Sequence, residues 1–184
     1  MANDMAAQKA QNFTNRGRQA MESRKFDLAA EMFLQALSFV PDALETRRLL
    51  RTAQIMKFRM NPPSSLALKM QGVGNYFARQ KILGMAKKGQ GVEAMAEAEK
   101  LLMQNPLDPD NIECAVKAAE AAGKPEAAAI SVEAAYESGN NDPALLERVA
   151  TMKFMVIQSH HKITSLSVEE MRSERFFPTT HSIR

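Results

Sequence analysis

Three stretches of the chain repeat one pattern of apolar and small residues. They span residues 10–43, 75–108 and 109–142. In each stretch these residues recur at intervals of four and three, as on one face of a helix, and the pattern then repeats along a second helix. A shared register at a period of about 34 residues predicts stacked helical hairpins, an α-solenoid. The matching positions are Phe13, Gly17, Ala20, Ala29, Phe33, Ala36 and Pro41; then Ala78, Ile82, Met85, Ala94, Ala98, Leu101 and Pro106; then Ile112, Val116, Ala119, Ala128, Val132, Ala135 and Asn140.

The segment between the first two stretches follows another pattern. A helix is expected at about 43–60, with Asp42 as its cap and Glu45 as the reciprocal partner. Continuing the hairpin register would place Pro63 inside a helix, where proline has no N–H to donate. We therefore predict that residues 44–74 are a helix and a linker inserted into the solenoid. The apolar stripe expected on the inserted helix is Leu49, Ala53, Met56 and Met60.

Glycine and aspartate mark the boundaries of the later hairpins. Gly89 and Gly123 fall where helix pairs must turn tightly, and a left-handed backbone is cheap there only for glycine. Asp108, followed by a proline, is expected to cap the next helix. A helix at about 143–158 would cover the end of the solenoid. With it, the predicted helical domain spans residues 1–158.

These offsets resemble those of the tetratricopeptide repeat family. The family's hairpin has a large aromatic residue early in its first helix, a small residue one turn later, alanine and a bulky residue in its second helix, and a terminal proline. Residues 10–43 match most of this pattern, with Arg16 and Ala20 in place of the usual Leu and Tyr. The other two stretches match in spacing more than in identity, since Ala78 and Ile112 stand where the aromatic is expected. The resemblance implies an all-α, right-handed superhelix whose concave face, built by the first helices of the hairpins, binds peptides or helices of other proteins.

Composition fits a helical protein of the cytoplasm. Hydrophobic residues make up 45% of the 184 residues, enough for a core, while aromatics are 6%. No run approaches the ~20 apolar residues of a membrane span. The first residues lack a secretory signal pattern. Cys114, as the single cysteine, cannot form an internal disulfide, so we expect a reducing compartment.

Charge is distributed unevenly along the chain. Segment 46–92 contains no Asp or Glu, whereas from Glu93 to Ala150 twelve acidic residues outnumber four basic ones. One part of the solenoid should therefore be electropositive and the other electronegative. We interpret the basic surface (47–88) as a docking site for an acidic protein surface. The basic block comprises Arg47, Arg48, Arg51, Lys57, Arg59, Lys69, Arg79, Lys81, Lys87 and Lys88.

Two alternatives remain for this block. It can be a solvated face that pairs with the acidic repeats, within one chain or between copies that self-assemble. It can also bind RNA or anionic lipid, with Tyr76 and Phe77 near Arg79 as a stacking surface. The net charge of +3 is too close to neutral for a dedicated nucleic-acid binder.

Residues 159–184 form an extended, polar and basic C-terminal tail in this interpretation. Phe176 and Phe177 lie beside Arg172 and Arg175, a combination typical of anchors for a partner groove. The alternative is that the tail folds back on its own solenoid or has no role.

Catalytic signals are weak. Gly72 and Gly74 lack the third glycine of a dinucleotide-binding loop, and Gln90 stands where a phosphate-binding loop needs lysine. His160 and His161 are adjacent rather than four apart, so we expect no metal, cofactor or catalytic site. The function predicted is a non-catalytic adaptor or assembly subunit. Its expected partner-binding residues are Thr14, Arg18, Met21, Arg47, Arg48, Arg51, Tyr76, Arg79, Leu83, Lys87, Phe176 and Phe177.

Overall fold

All secondary-structure elements in the part of the chain that the structure describes are helices. The computed structural model describes residues 2–139, 143, 147–153 and 155–158. The helices are α1 (Ala2–Glu22), α2 (Phe26–Phe39), α3 (Leu44–Met60), α4 (Ser65–Lys87), α5 (Gly91–Gln104), α6 (Pro109–Ala121) and α7 (Pro125–Glu137). A last helical segment follows over residues 147–153 and 155–158. The all-α prediction is confirmed for this part of the chain. Among the same residues, no helix has both the length and the apolar content to cross a membrane.

Consecutive helices pair across short turns. The pairs α1–α2, α4–α5 and α6–α7 turn at residues 23–25, 88–90 and 122–124, and α5 also packs against α6. Gly89 and Gly123 have φ values of +79° and +68°, so the predicted left-handed turns are confirmed. In this conformation an L side chain would be strained, which is why glycine occupies both turns.

The first hairpin is packed closely through its small residues. Gly17 on α1 faces the ring of Phe33 on α2, and a Cβ atom at Gly17 would lie 2.5 Å from Phe33 Cε1. Phe33, Ala29 and Ala36 have no exposed surface. The absent side chain at Gly17 therefore lets the two helices approach until the aromatic ring fills the space between them.

The later hairpins share a second core. Within it, Ala94, Val116, Ala128 and Val132 are fully buried. Met152 of the last helical segment packs into the same core. The small and β-branched residues predicted for these positions let α5, α6 and α7 pack with few gaps. Asp108 caps α6 by accepting a hydrogen bond from the backbone N–H of Asn111, as predicted.

The start of α3 differs from its prediction. The helix begins at Leu44 with Ala43 at the cap position and no side-chain cap. Asp42 instead forms an ion pair with Lys124, at 2.7 Å between Oδ1 and Nζ. The predicted capping box of Asp42 and Glu45 is therefore wrong, because Asp42 pairs with Lys124 in the α6–α7 turn and Glu45 pairs with Arg18 on α1.

The buried face of α3 also differs from its prediction. Of the expected stripe, Ala53 is buried and Leu49 is half-buried, but Met56 and Met60 are exposed. The helix packs against α2 on one side and against α5 and α7 on the other. Its second interface uses polar side chains rather than the predicted methionines. The inserted helix thus joins the first hairpin to the later ones.

Candidate protein-interaction surfaces

A buried ionic cluster links α3 to α5 and α7. Glu99 on α5 accepts hydrogen bonds from Arg51 Nη1 and Nη2 at 2.5 and 2.7 Å, and from Arg47 Nη1 at 2.5 Å. Arg51 also donates to Gln54 Oε1 at 2.7 Å and to Ser131 Oγ at 3.2 Å. The exposed fractions of Arg47, Arg51 and Glu99 are 4, 2 and 6%. This cluster lies between the two hydrophobic cores and connects them.

The expectation that Arg47 and Arg51 belong to an exposed docking surface is wrong. Both side chains are used inside the molecule, where a shared carboxylate and further hydrogen bonds offset the cost of burying two guanidinium groups. The pairing agrees with the alternative that the basic block meets the acidic repeats within one chain. Arg47 and Arg51 are therefore structural residues in this fold.

The pKa values of Glu99 and Arg47 are both lowered in the cluster, which favours the charged form of the carboxylate and disfavours that of the guanidinium group. Burial disfavours the charged form of Glu99, but Arg51 and Arg47 outweigh it and hold the pKa of Glu99 below its ordinary value of 4.5. Burial lowers the pKa of Arg47, and the neighbouring Arg51 adds to this, against the opposing effect of Glu99. Glu99 is thus the counter-charge that opposes the effect of burial on Arg47.

Most other bases of the block are also paired within the chain. The pairs are Arg48 with Glu133, Lys57 with Asp27, Arg79 with Asp108 and Asp110, and Lys81 with Glu97, while Arg59 donates to the carbonyl of Ser138. Within the described residues, Lys69, Lys87 and Lys88 have no ion pair. Fewer charges of the basic block are therefore available to bind a partner than the sequence indicates.

Arg79 ties α4 to the start of α6. Its Nη2 donates to Asp108 Oδ1 at 2.7 Å, its Nη1 to Asp110 Oδ2 at 2.8 Å and its Nε to Asn111 Oδ1 at 2.9 Å. All of its nitrogens therefore have partners inside the chain. The geometry gives Arg79 a structural role, in contrast to the partner-binding role predicted for it.

The other predicted partner-binding residues are not brought together on one face. Thr14 is buried and hydrogen-bonds to the carbonyl of Ala10, with its hydroxyl 3.1 Å from that of Thr46. Met21 and Leu83 are half-buried against the two cores. The exposed ones are Arg18, Arg48, Tyr76 and Lys87, of which Arg18 is paired with Glu45. Phe176 and Phe177 lie outside the described residues.

The most exposed apolar surface among the described residues lies on the first part of α4, where the sequence pointed only to Tyr76 and Phe77. Leu66, Met70, Val73 and Phe77 are each 67–70% exposed. At 100° per residue they fall within about 60° of one another around the helix. We call these four residues the α4 stripe. Their spacing of four, three and four residues is visible in the sequence, but only the structure shows that, within the described ranges, no other helix covers them.

A second apolar surface is a groove between α2 and α5. The groove has a volume of about 570 Å³, and its walls include Leu37, Val92 and Met95. Arg47 and Glu99 of the ionic cluster form part of its floor. Because these two charges already bind each other, the groove offers mainly apolar contact.

Cys114 is a free, buried cysteine. Burial raises the pKa of Cys114 to about 11, so its thiol is protonated and a poor nucleophile at neutral pH. Across the described ranges, His, Cys, Asp and Glu form no group of three or more that could hold a metal ion.

Comparison with known proteins adds no family to this description. No protein-family model matches the chain, and no curated protein matches it. The tetratricopeptide resemblance therefore stays a prediction from the sequence. Function has to be argued from the surfaces themselves.

Proposed function

We propose that this chain is a non-catalytic helical scaffold that binds proteins through the α4 stripe. The observation that carries the proposal is the contiguous exposure of Leu66, Met70, Val73 and Phe77 on a regular helix. Large apolar side chains scattered singly on a surface need no explanation, whereas a contiguous patch is typical of an interaction site. Tyr76, 56% exposed and in edge contact with Phe77, extends the patch with a residue type enriched in interfaces.

The proposal includes a tetratricopeptide-like, right-handed stack of hairpins located in the cytoplasm. The close approach of Gly17 to Phe33 supports the register assigned to the first hairpin. The burial of Ala94, Ala98 and Val132 supports the same register in the later hairpins. A single, buried cysteine agrees with a reducing compartment.

Binding of RNA or another anionic surface has less support. That alternative rested on the basic block, and its arginines are engaged with acidic residues or backbone carbonyls of the same chain. Lys69, Lys87 and Lys88 would remain to neutralise phosphates, which predicts weak and strongly salt-dependent binding. The internal pairs likewise reduce the charge available for assembly between positive and negative parts of different copies.

The test compares protein recovery by three immobilised baits. The baits are the full wild-type chain, a stripe variant with Met70→Glu and Val73→Glu, and a control variant with Met5→Glu. Met5 is also an exposed helical methionine, 59% exposed, but it lies on α1 away from the stripe. Proteins recovered by the wild-type and control baits are identified by mass spectrometry, and each is then purified and titrated against all three baits.

We expect at least one purified protein to bind the wild-type and Met5→Glu chains alike and to bind the stripe variant at least tenfold more weakly. A charge introduced into a desolvated apolar contact should have this effect. Equal affinity of every recovered protein for all three baits would remove the stripe as a binding surface.

A further inference from the structure

The α4 stripe has the spacing of a coiled-coil seam. Leu66, Met70, Val73 and Phe77 follow the four–three–four intervals that place apolar residues at successive core positions of paired helices. We propose that a second copy of this chain docks on the stripe, so that two α4 helices pack antiparallel about a two-fold axis. This inference rests on the proposed function, since it names the partner of the same surface.

The stripe points away from the rest of its own molecule. Asn75 and Ile82 are the buried residues of α4, and they lie about 160–180° around the helix from Leu66. Between Ser65 and Gly74 no residue of α4 is buried, so this first part of the helix, with Leu66, Met70 and Val73, projects from the body, and one side is packed only from Asn75 onwards. A second helix can reach the stripe without displacing any helix that contacts α4.

The stripe ends where the outer face of α4 turns polar. Beyond Phe77 the same side of the helix continues with Gln80 and Lys81, both exposed. The apolar surface is thus about three turns long. A partner helix of matching length, such as the stripe of another copy, covers it without burying Lys81.

The antiparallel direction follows from residue sizes. In this direction Leu66 faces Phe77 of the second copy, and Met70 faces Val73, so each layer combines a larger and a smaller side chain. A parallel pair would stack identical residues, with Phe77 on Phe77 and Val73 on Val73, so its layers would differ widely in size.

The exposed area matches a modest but specific dimer. The stripe and Tyr76 together expose on the order of 600 Å² of side chain per copy, judged from their exposed fractions and typical side-chain areas. Two copies would bury about 1,200 Å², at the lower end of stable interfaces, so a dissociation constant on the order of micromolar is expected.

The test is sedimentation equilibrium of the purified full chain from about 1 to about 300 µM, a range that brackets micromolar association. Wild-type protein should pass from monomer to dimer, and Met5→Glu should do the same. Met70→Glu and Val73→Glu should each raise the dissociation constant at least 100-fold, with unchanged helical circular dichroism because both sites are exposed. Raising the salt concentration should not weaken the wild-type dimer, since the contact is apolar.

Helix direction is tested with the variants Leu66→Cys and Phe77→Cys, each of which adds one cysteine to the native Cys114, and a short bismaleimide cross-linker. Antiparallel packing predicts a cross-linked dimer when the two variants are mixed, and little when either is alone. Parallel packing predicts a cross-linked dimer when either variant is alone, and that result would overturn the antiparallel direction. Cys114 is buried and serves as an internal control for background reaction.

A wild-type chain that stays monomeric at every concentration would overturn the dimer. If purified proteins from the bait experiment still distinguish the stripe variant from Met5→Glu, the stripe binds another protein and the proposed function stands. Equal affinity for all baits together with a strict monomer would overturn both proposals.

Discussion

Arg51 on α3 and Glu99 on α5 form a doubly hydrogen-bonded ion pair in the interior of the protein, at 2.5 and 2.7 Å. Arg47 binds the same carboxylate from one turn earlier on α3. Because α3 also packs on α2, this carboxylate connects the first hairpin to the later ones. The first hairpin is therefore joined to the later ones by this ion pair together with Met103 of α5, which packs against the first core.

Replacing Glu99 with glutamine should destabilise the fold strongly. The change leaves two buried guanidinium groups without a counter-charge, and breaking a buried pair in this way costs about 3–5 kcal/mol. Glu97→Gln is the matched control, because Glu97 lies on the same helix with its partners Lys100 and Lys81 mostly exposed, and should cost at most about 1 kcal/mol. Chemical denaturation of both variants measures the difference. Similar midpoints would mean that the cluster contributes little to stability.

Acid should weaken the same cluster. Since Arg51 and Arg47 hold the pKa of Glu99 below 4.5, its ionised form stabilises the folded state fully above about that pH. The contribution should be lost as the pH falls from 4.5 through the lower pKa of the folded state. We expect wild-type unfolding free energy to decline in this window more steeply than that of Glu99→Gln. Parallel curves for the two proteins would contradict the assignment.

Two glycine-to-alanine changes should shift the free energy of unfolding in opposite directions. A Cβ atom at Gly91 would lie 2.4 Å from the backbone nitrogen of Ala122, which cannot move like a side chain, so Gly91→Ala should destabilise by about 1–3 kcal/mol. Gly72 has open space around the same position in the middle of α4, so Gly72→Ala should stabilise by about 0.5–1 kcal/mol. Thermal and denaturant unfolding measure both values. A neutral Gly91→Ala would argue against the close approach of the α5 start to the α6–α7 turn.

The Cys114 thiol should be unreactive in the folded protein. Burial raises its pKa to about 11, so at pH 8 the reactive thiolate is nearly absent and the sulfur is shielded. A disulfide reagent that releases a coloured thiol should give almost no signal until denaturant is added, and then one equivalent. Rapid reaction without denaturant would show that α6 opens readily.

Local features were predictable because they depend on residues a few positions apart. The turns at Gly89 and Gly123, the cap at Asp108 and the close contact of Gly17 with Phe33 follow from glycine geometry, capping chemistry and helical spacing. The predictions of a capping box and of an apolar stripe, which failed, both concern α3. Its apolar residues indicated one buried face, but docking against α5 and α7 buried Arg51 and left Met60 exposed.

The amino-acid sequence by itself determined that the chain forms helices, where most of them begin and end, and which neighbours pair as hairpins. Periodicity, glycine and proline act within a helix or a single turn, so these properties need no knowledge of distant residues. Only the tertiary structure decided which charges are buried and which apolar residues face solvent. Arg51 and Glu99 are 48 positions apart, and a charge can be buried only where a distant counter-charge meets it. The exposure of Leu66 and Phe77 was decided in the same way, by where the other helices packed.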